Sequence, residues 1–419
     1  MVNKMTSLVI LTVSFPYEGG EQFIESEICY WNNTKFKNVL IYPSSGQGLK
    51  RSYPESINIL KSFSPISSKL EKLYFALLSF FSSIFWKELK YLFFSKKINF
   101  TSIYYALAKV SGTLKYSKYL KKSVKDINGE IIIYSYWNDV SYYAACFLKR
   151  KGIVSKVISR AHGFDVYEER HPNNYMPLKR QFRHDVDRVF LLSDRARNYY
   201  KDKYNYPLNR LEVARLGVVL PIKFFEHSNF YNELNILSIS YCVSLKRIDK
   251  IMDAINNFSI KHNIKVKWTH IGAGELFDKL KKRALNKVEK NKNFKADFLG
   301  QLSNSAVHNW LLENNVNVFI NASESEGVPV SIMEAMSYGI PAIAPNIGGI
   351  PDLVNEQNGF LMSSNADISE IVIGLETILF SKDVAAYRKN ARRTVEDKYN
   401  SEKNYKEFVH TLEELALNE

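Results

Sequence analysis

Cysteine is scarce in this chain. Its 419 residues hold three, Cys29, Cys146 and Cys242, odd in number and far apart. That excludes a disulfide framework, and each cysteine reads as a buried free thiol in a reducing compartment. No Cys/His spacing suits zinc, so a structural zinc site is not expected. No apolar run reaches the roughly eighteen residues of a membrane span. Ser7 to Ser14 resembles a short signal core but lacks a small-residue cleavage site, so it reads as the first strand of a sheet, and a cytoplasmic protein is expected. Acids are also short: 43 Asp and Glu against 57 Lys and Arg, a formal charge of +14. The excess points to an anionic partner, whether nucleic acid, lipid surface or phosphorylated substrate. No nucleic-acid motif accompanies it, which disfavours the first of these. No repeat of solenoid period is present.

What is there suits an ordinary globular protein of two domains, with 46% hydrophobic and 24% charged residues. Val316 to Ile320 is short, branched and apolar, a buried parallel strand. Ser323 to Gly327 is the loop at its carboxyl end. Val330 to Tyr338 has helical spacing and stops at Gly339 and Pro341, after which Ala342 begins another strand. Such a crossover unit binds ligands beyond its strand ends, beside the helix N-terminus, where free N–H groups attract phosphate. Glu326 lies in the loop and Glu334 about one turn inside the helix. Carboxylates accept hydrogen bonds from sugar hydroxyls, so the pair describes a site for a sugar joined to a phosphate. By spacing alone, Glu326 reads equally as a solvated loop residue and Glu334 as an exposed helix residue.

Other strand ends carry candidates of the same kind. Gly19, Gly20 and Glu21 follow the first strand, where glycines let a backbone approach a ligand. His162, followed by glycine, and Asp165 follow the strand Val157 to Arg160; Arg160 is expected to face the same cleft. Lys246 and Arg247 open a helix, where cations can neutralise a diphosphate. Gly272 and Gly274 form a turn after Val266 to Ile271. Residues 61–125 differ from the rest: thirteen lysines against two acids, Glu71 and Glu88, with Phe and Tyr interleaved. Leu73 to Trp86 reads as one apolar helix, too short to span a bilayer but suited to the headgroup layer. The other reading is a set of helices packed on the sheet and displaying ordinary lysines.

Glu326 to Ala335 resembles the Glu-x7-Glu signature of family 4 glycosyltransferases, which have the GT-B fold. Ser323, Gly327, Ala335, Met336, Gly339, Pro341, Gly348 and Gly349 match the pattern around it. Family members commonly have phenylalanine after the first glycine. Here Val328 and Pro329 follow, and proline removes one N–H donor. Lys246 matches the family's basic position, but the arginine usual five residues earlier is Tyr241, and Arg247 is its candidate replacement. Phe15 to Phe23 is similar to the phrase found at this place in polysaccharide-building members, and His162 to Asp165 to the acceptor-side loop.

The resemblance implies an α/β protein of two facing doubly wound, Rossmann-like domains with parallel sheets and a nucleotide-sugar between them. Residues 1–225 would bind acceptor, 226–398 the nucleotide-sugar, and 399–419 form a helix packing back on the first domain. It implies a retaining transfer from a nucleoside diphosphate sugar to a hydroxyl of a saccharide, lipid-linked by the Phe15 to Phe23 phrase, in surface-polysaccharide assembly. No metal and no cofactor beyond the donor substrate are implied. Glu326, Lys246 and His162 would serve at the reacting sugar and phosphate. Glu334, Arg247, Gly272, Gly274, Gly327, Val328 and Val330 would hold the donor, with Glu334 on the ribose. Gly19, Gly20, Glu21 and Asp165 would face the acceptor. The protein would sit in the cytoplasm or on the inner face of the membrane. A nucleotide-sugar epimerase of the same fold and a non-catalytic membrane-associated partner remain the alternatives.

Overall fold

The computed structural model describes residues 6–18, 20, 21, 23–61, 68–224 and 233–417. Gly19 and most of the expected linker 221–232 lie outside them. The chain divides into two units, 1–214 with 405–419, and 215–404. The division precedes the proline at 221 because Val218 is already paired with unit two: its N–H donates to the Tyr399 carbonyl at 2.8 Å and its carbonyl accepts from Ser401 at 3.1 Å.

Unit one is a seven-stranded parallel sheet. Its strands are β1 (Thr6–Thr12), β2 (Asn38–Pro43), β3 (Asn58–Ile59), β4 (Glu130–Ser135), β5 (Lys156–Ala161), β6 (Arg188–Leu191) and β7 (Leu211–Val213), in the order β3-β2-β1-β4-β5-β6-β7. Every residue of β1 is buried, as a strand covered on both faces requires. The helices are α1 (Ile24–Ile28), α2 (Lys69–Phe80), α3 (Ser83–Phe94), α4 (Phe100–Val124), α5 (Val140–Arg150) and α6 (Asp194–Tyr204). Ser193 caps α6, its hydroxyl accepting from Ala196 N–H at 3.1 Å.

Three expectations need correction here. Leu73 to Trp86 is not one helix: α2 ends at Phe80, and Ser82 caps α3 by accepting from Ile84 N–H. Cys29 is exposed, not buried, because Ile28 and Trp31 take the inward positions of its turn. Arg160 does not face a cleft. It is fully buried, ion-paired to Glu27 and stacked 4.1 Å over the Phe408 ring.

Unit two is a six-stranded parallel sheet of β8 (Leu234–Ile239), β9 (Val266–Ile271), β10 (Phe294–Gly300), β11 (Val318–Ile320), β12 (Ala342–Pro345) and β13 (Gly359–Met362), ordered β10-β9-β8-β11-β12-β13. Its helices are α7 (Ile248–His262), α8 (Phe277–Lys290), α9 (Asn304–Glu313), α10 (Val330–Ser337), α11 (Ile368–Leu379) and α12 (Val384–Lys398). A last helix, α13 (Ser401–Leu417), belongs to unit one from Tyr405 on, where Phe408 and Leu412 join the core under β1 and β4. Both units are doubly wound. In each, strand order reverses at one place: between β1 and β4 in unit one, and between β8 and β11 in unit two. At such a reversal the flanking loops diverge and leave a crevice at the strand ends.

Candidate functional site

In unit two the reversal brings together the loop after β8 and the loop after β11. Glu324 N–H donates to the Leu245 carbonyl at 2.9 Å, tying the two backbones. Across that tie, Lys246 Nζ lies 2.6 Å from Glu326 Oε1. The same oxygen accepts from Ser323 Oγ at 2.7 Å and Asn321 Nδ2 at 3.3 Å. Asn321 is itself fixed, its Oδ1 accepting from Ser323 N–H at 2.9 Å. Three donors therefore hold one carboxylate oxygen, and the other has no partner among the described residues. Gly348 lets the loop behind it close: a Cβ there would stand 2.0 Å from the Glu326 carbonyl oxygen, and its φ is +52°.

Helix α10 begins beside this carboxylate. The N–H groups of Val328, Val330 and Ser331 have no partner among the described residues, as expected of a first turn. The carboxylate of Glu334, half-buried in the second turn, has no hydrogen-bond or ion-pair partner among them either. Burial alone pushes its carboxyl up to about 7. A carboxylate is costly to leave so, and sugar hydroxyls are fitting partners. The far end of α10 is anchored by Arg392, whose guanidinium donates to the Ser337 carbonyl at 2.6 Å. No local signal in the sequence announces that contact.

Arg247 is not brought to Glu326. It pairs with Glu324 at 2.7 Å and reaches Asn365 at 3.3 Å. The Gly272 and Gly274 turn packs on the loop after β8. A Cβ at Gly272 would meet the Ser240 carbonyl oxygen at 1.9 Å, and one at Gly274 the Cys242 carbonyl oxygen at 2.7 Å. These glycines set the wall of the crevice by close backbone approach.

In unit one the reversal joins the loops after β1 and β4. Glu21 is buried and its carboxylate is consumed internally. It accepts from the N–H groups of Val13, Ser14 and Phe15 at 2.7–2.9 Å and from Trp137 Nε1 at 2.5 Å. It ties the two loops together and has no carboxylate oxygen left to face outward. Gly20 adopts φ +130°, which a side chain rarely tolerates.

His162 follows β5, and its ring packs in an aromatic box: 4.6 Å from the Trp137 ring, 5.2 Å from Tyr136 and 5.8 Å from Phe23. It is 8% exposed, and neither ring nitrogen has a partner among the described residues. Burial, with the Arg160 charge nearby, pushes it down to about 3, so the ring is neutral. Asp165 organises the loop below. One of its oxygens accepts from His162 N–H and the other from Asn138 N–H at 2.7 Å. Buried Lys179 donates to Asn138 Oδ1 at 2.7 Å and to Tyr200 Oη at 3.0 Å. Trp137 and Asn138 lie in the post-strand loop 135–139, where the strand-end rule points. Lys179 has no comparable mark.

Residues 221–394 match the family model described as glycosyl transferases group 1. An uncharacterized glycosyltransferase of Haemophilus influenzae is 25% identical over 229 residues, 53% of this chain and 60% of that protein. A putative colanic acid biosynthesis glycosyltransferase of Escherichia coli is 24% identical over 285 residues, 65% of this chain and 68% of that one. Among solved structures, an Anabaena protein in complex with UDP superposes with a TM-score of 0.64 at 13% identity, covering 97% of this chain and 99% of that one. Two doubly wound units with the Glu326/Glu334 crevice define a protein of GT-B architecture. Within that architecture, residues 221–394 are similar to the glycosyl transferases group 1 family.

Proposed function

We propose that this chain transfers a sugar from a nucleoside diphosphate sugar to a hydroxyl of a lipid-linked saccharide, with retention of anomeric configuration, in surface-polysaccharide biosynthesis on the cytoplasmic face of a membrane. One observation carries the reading: Glu326, held on one oxygen by Lys246, Ser323 and Asn321, stands beside an open helix N-terminus with unpartnered Glu334 within. Glu334 takes the ribose hydroxyls, and the free oxygen of Glu326 a sugar hydroxyl. The N–H groups of Val328 and Val330, with the Lys246 ammonium, meet the diphosphate, so charge builds on the leaving phosphate against fixed dipoles. This arrangement needs no metal ion. Arg247, held by Glu324, takes no direct part.

His162 cannot serve as a base of useful strength with its pKa near 3. Its neutral nitrogens suit a hydrogen bond to a sugar hydroxyl, framed by Trp137 and Tyr136. The leaving phosphate oxygen takes the acceptor's proton, in place of the weakly basic His162. The UDP complex of the Anabaena protein supports a uridine donor. The E. coli relative's part in colanic acid biosynthesis supports a polysaccharide product.

The experiment is a panel of nucleotide sugars, scored by thermal stabilisation and by hydrolysis. Stabilisation by one nucleoside diphosphate sugar, lost in Glu326→Ala, is expected. Absence of stabilisation by every member overturns the reading. A sugar product isomerised without any acceptor would show an epimerase instead.

A further inference from the structure

We infer that the α2–α3 hairpin is a docking face for an anionic lipid bilayer. The inference deepens the proposed lipid-linked acceptor by naming the surface that meets its membrane. Helix α2 buries little: Phe75 and Ser79 face the unit. Its other apolar residues point outward at helical spacing, with Leu73 and Leu77 exposed and Phe81 80% exposed at the turn. Helix α3 adds Trp86, Phe93 and Phe94, the last 71% exposed. The two stripes join into one ridge, because Trp86 packs 5.4 Å from the Phe80 ring and donates its Nε1–H to the Phe80 carbonyl at 2.7 Å. A contiguous apolar ridge of this kind is uncommon on a surface with no partner.

Charge selects the partner. Lys72, Lys87, Lys90, Lys118, Lys121 and Lys122 have no acidic partner among the described residues. The two acids between Lys69 and Lys125 offset none of them. Glu71 is taken by Tyr119 at 2.7 Å and Lys115 at 3.3 Å, and Glu88 is buried. Aromatic and leucine side chains flanked by lysines fit the boundary between acyl chains and anionic headgroups. Among the described residues no helix is long and apolar enough to cross a bilayer, so the contact lies in the interface plane.

The face is also held rigidly. Glu88, on the inner side of α3, accepts from Tyr175 Oη at 2.7 Å, Gln181 Nε2 at 2.6 Å and Leu178 N–H at 3.1 Å. Gln181 also donates to the Ile84 carbonyl at 2.9 Å. These bonds fix the hairpin on residues 175–181, which follow the His162 loop in the chain and include Lys179. The orientation of the ridge is thereby set within unit one.

The test is co-sedimentation of the full chain with phosphatidylcholine vesicles, with and without about one-third phosphatidylglycerol. Wild type is expected to bind the anionic vesicles and to leave them at high salt. The pair Phe81→Ser and Phe94→Ser should lower the bound fraction at least about tenfold. The pair Lys87→Glu and Lys90→Glu should weaken binding by about fivefold or more per lysine. Ile373→Ser, an exposed apolar residue of α11 in unit two, should bind as wild type. All these residues are exposed, so unfolding midpoints should stay put. Failure of wild type to bind, equal binding by the hairpin variants, or equal binding to uncharged vesicles overturns the inference. So does a dimer in sedimentation velocity that the Phe81 and Phe94 changes dissolve, since the occupant would then be a second copy. Vesicle binding needs no nucleotide sugar, so its failure and a failure of the proposed transfer are separately visible.

Discussion

Lys246 Nζ and Glu326 Oε1 are 2.6 Å apart although 80 positions separate them in the chain. Each sits in the loop after a different strand, β8 or β11, and the strand order alone makes those loops neighbours. The pair pre-sets both functional groups. The ammonium keeps the carboxylate turned into the crevice, and the carboxylate keeps the long lysine side chain from sweeping solvent.

Replacing either partner should therefore cost function far more than stability. Lys246→Met and Glu326→Gln are each expected to lower kcat/KM for sugar transfer at least about 10²-fold. The unfolding free energy should change by only about 1 kcal/mol, since the pair is partly solvated. The double variant should be little worse than either single one, because the groups act as a unit. Additive losses in a complete kinetic cycle would show that they act separately.

His162 should make the protein acid-sensitive. Its folded pKa, near 3, lies below the ordinary 6.5. Below pH 6.5 the unfolded chain takes a proton that the folded chain refuses. The stability from this residue is therefore complete above pH 6.5 and is lost as pH falls from there toward 3. At pH 5 the loss is about 2 kcal/mol. His162→Phe should remove that part of the decline between pH 7 and pH 5 in denaturant unfolding. An unchanged slope would mean that the ring is hydrated.

Glu334 should act in the opposite sense. Its folded carboxyl titrates near 7 rather than 4.5, so the folded state keeps a proton that the unfolded chain has released. Stability falls as pH rises from 4.5 to 7 and is level above. Glu334→Gln should be more stable than wild type at pH 8, by on the order of 3 kcal/mol, and equal to it at pH 4. It should also bind UDP more weakly, because the acceptor for ribose hydroxyls is gone. Wild-type UDP affinity should rise between pH 6 and pH 8, measured by calorimetry, and that rise should vanish in the variant.

Glu88 should be the costliest of the five to truncate. Glu88→Ala leaves the Tyr175 hydroxyl, the Leu178 N–H and the Gln181 amide without an acceptor in a buried place, at about 3–5 kcal/mol. Glu88→Gln keeps an acceptor oxygen for the first two and should cost about 1 kcal/mol. Urea unfolding of both variants compares the two costs directly.

Much of this protein could be read in its residues. The apolar strands β1, β4 and β11 declare parallel sheets because burial on both faces leaves no polar alternation. The spacing of Glu326 and Glu334 around a helix start points to the crevice. The lysine-rich, aromatic composition of residues 61–125 points to a surface of unusual character. Local pattern could not say that Glu21 turns inward to hold three backbone N–H groups, nor that Arg160 is buried against Glu27 and Phe408. A charged residue in a loop or at a strand end looks the same in sequence whether it meets solvent or a partner more than a hundred positions away.

The sequence by itself determined where the buried parallel strands run and which chemistries stand at their ends, since those follow from periodicity, caps and turn residues within a few positions. Only the tertiary structure decided which ends meet. Strand order placed Lys246 on Glu326 and left Arg247 to Glu324, and the buried carboxylate of Glu88 holds one side of α3 against unit one and leaves the other facing water. Such contacts depend on where a crossover lands in the sheet, a free-energy balance over the whole unit that no short stretch of residues contains.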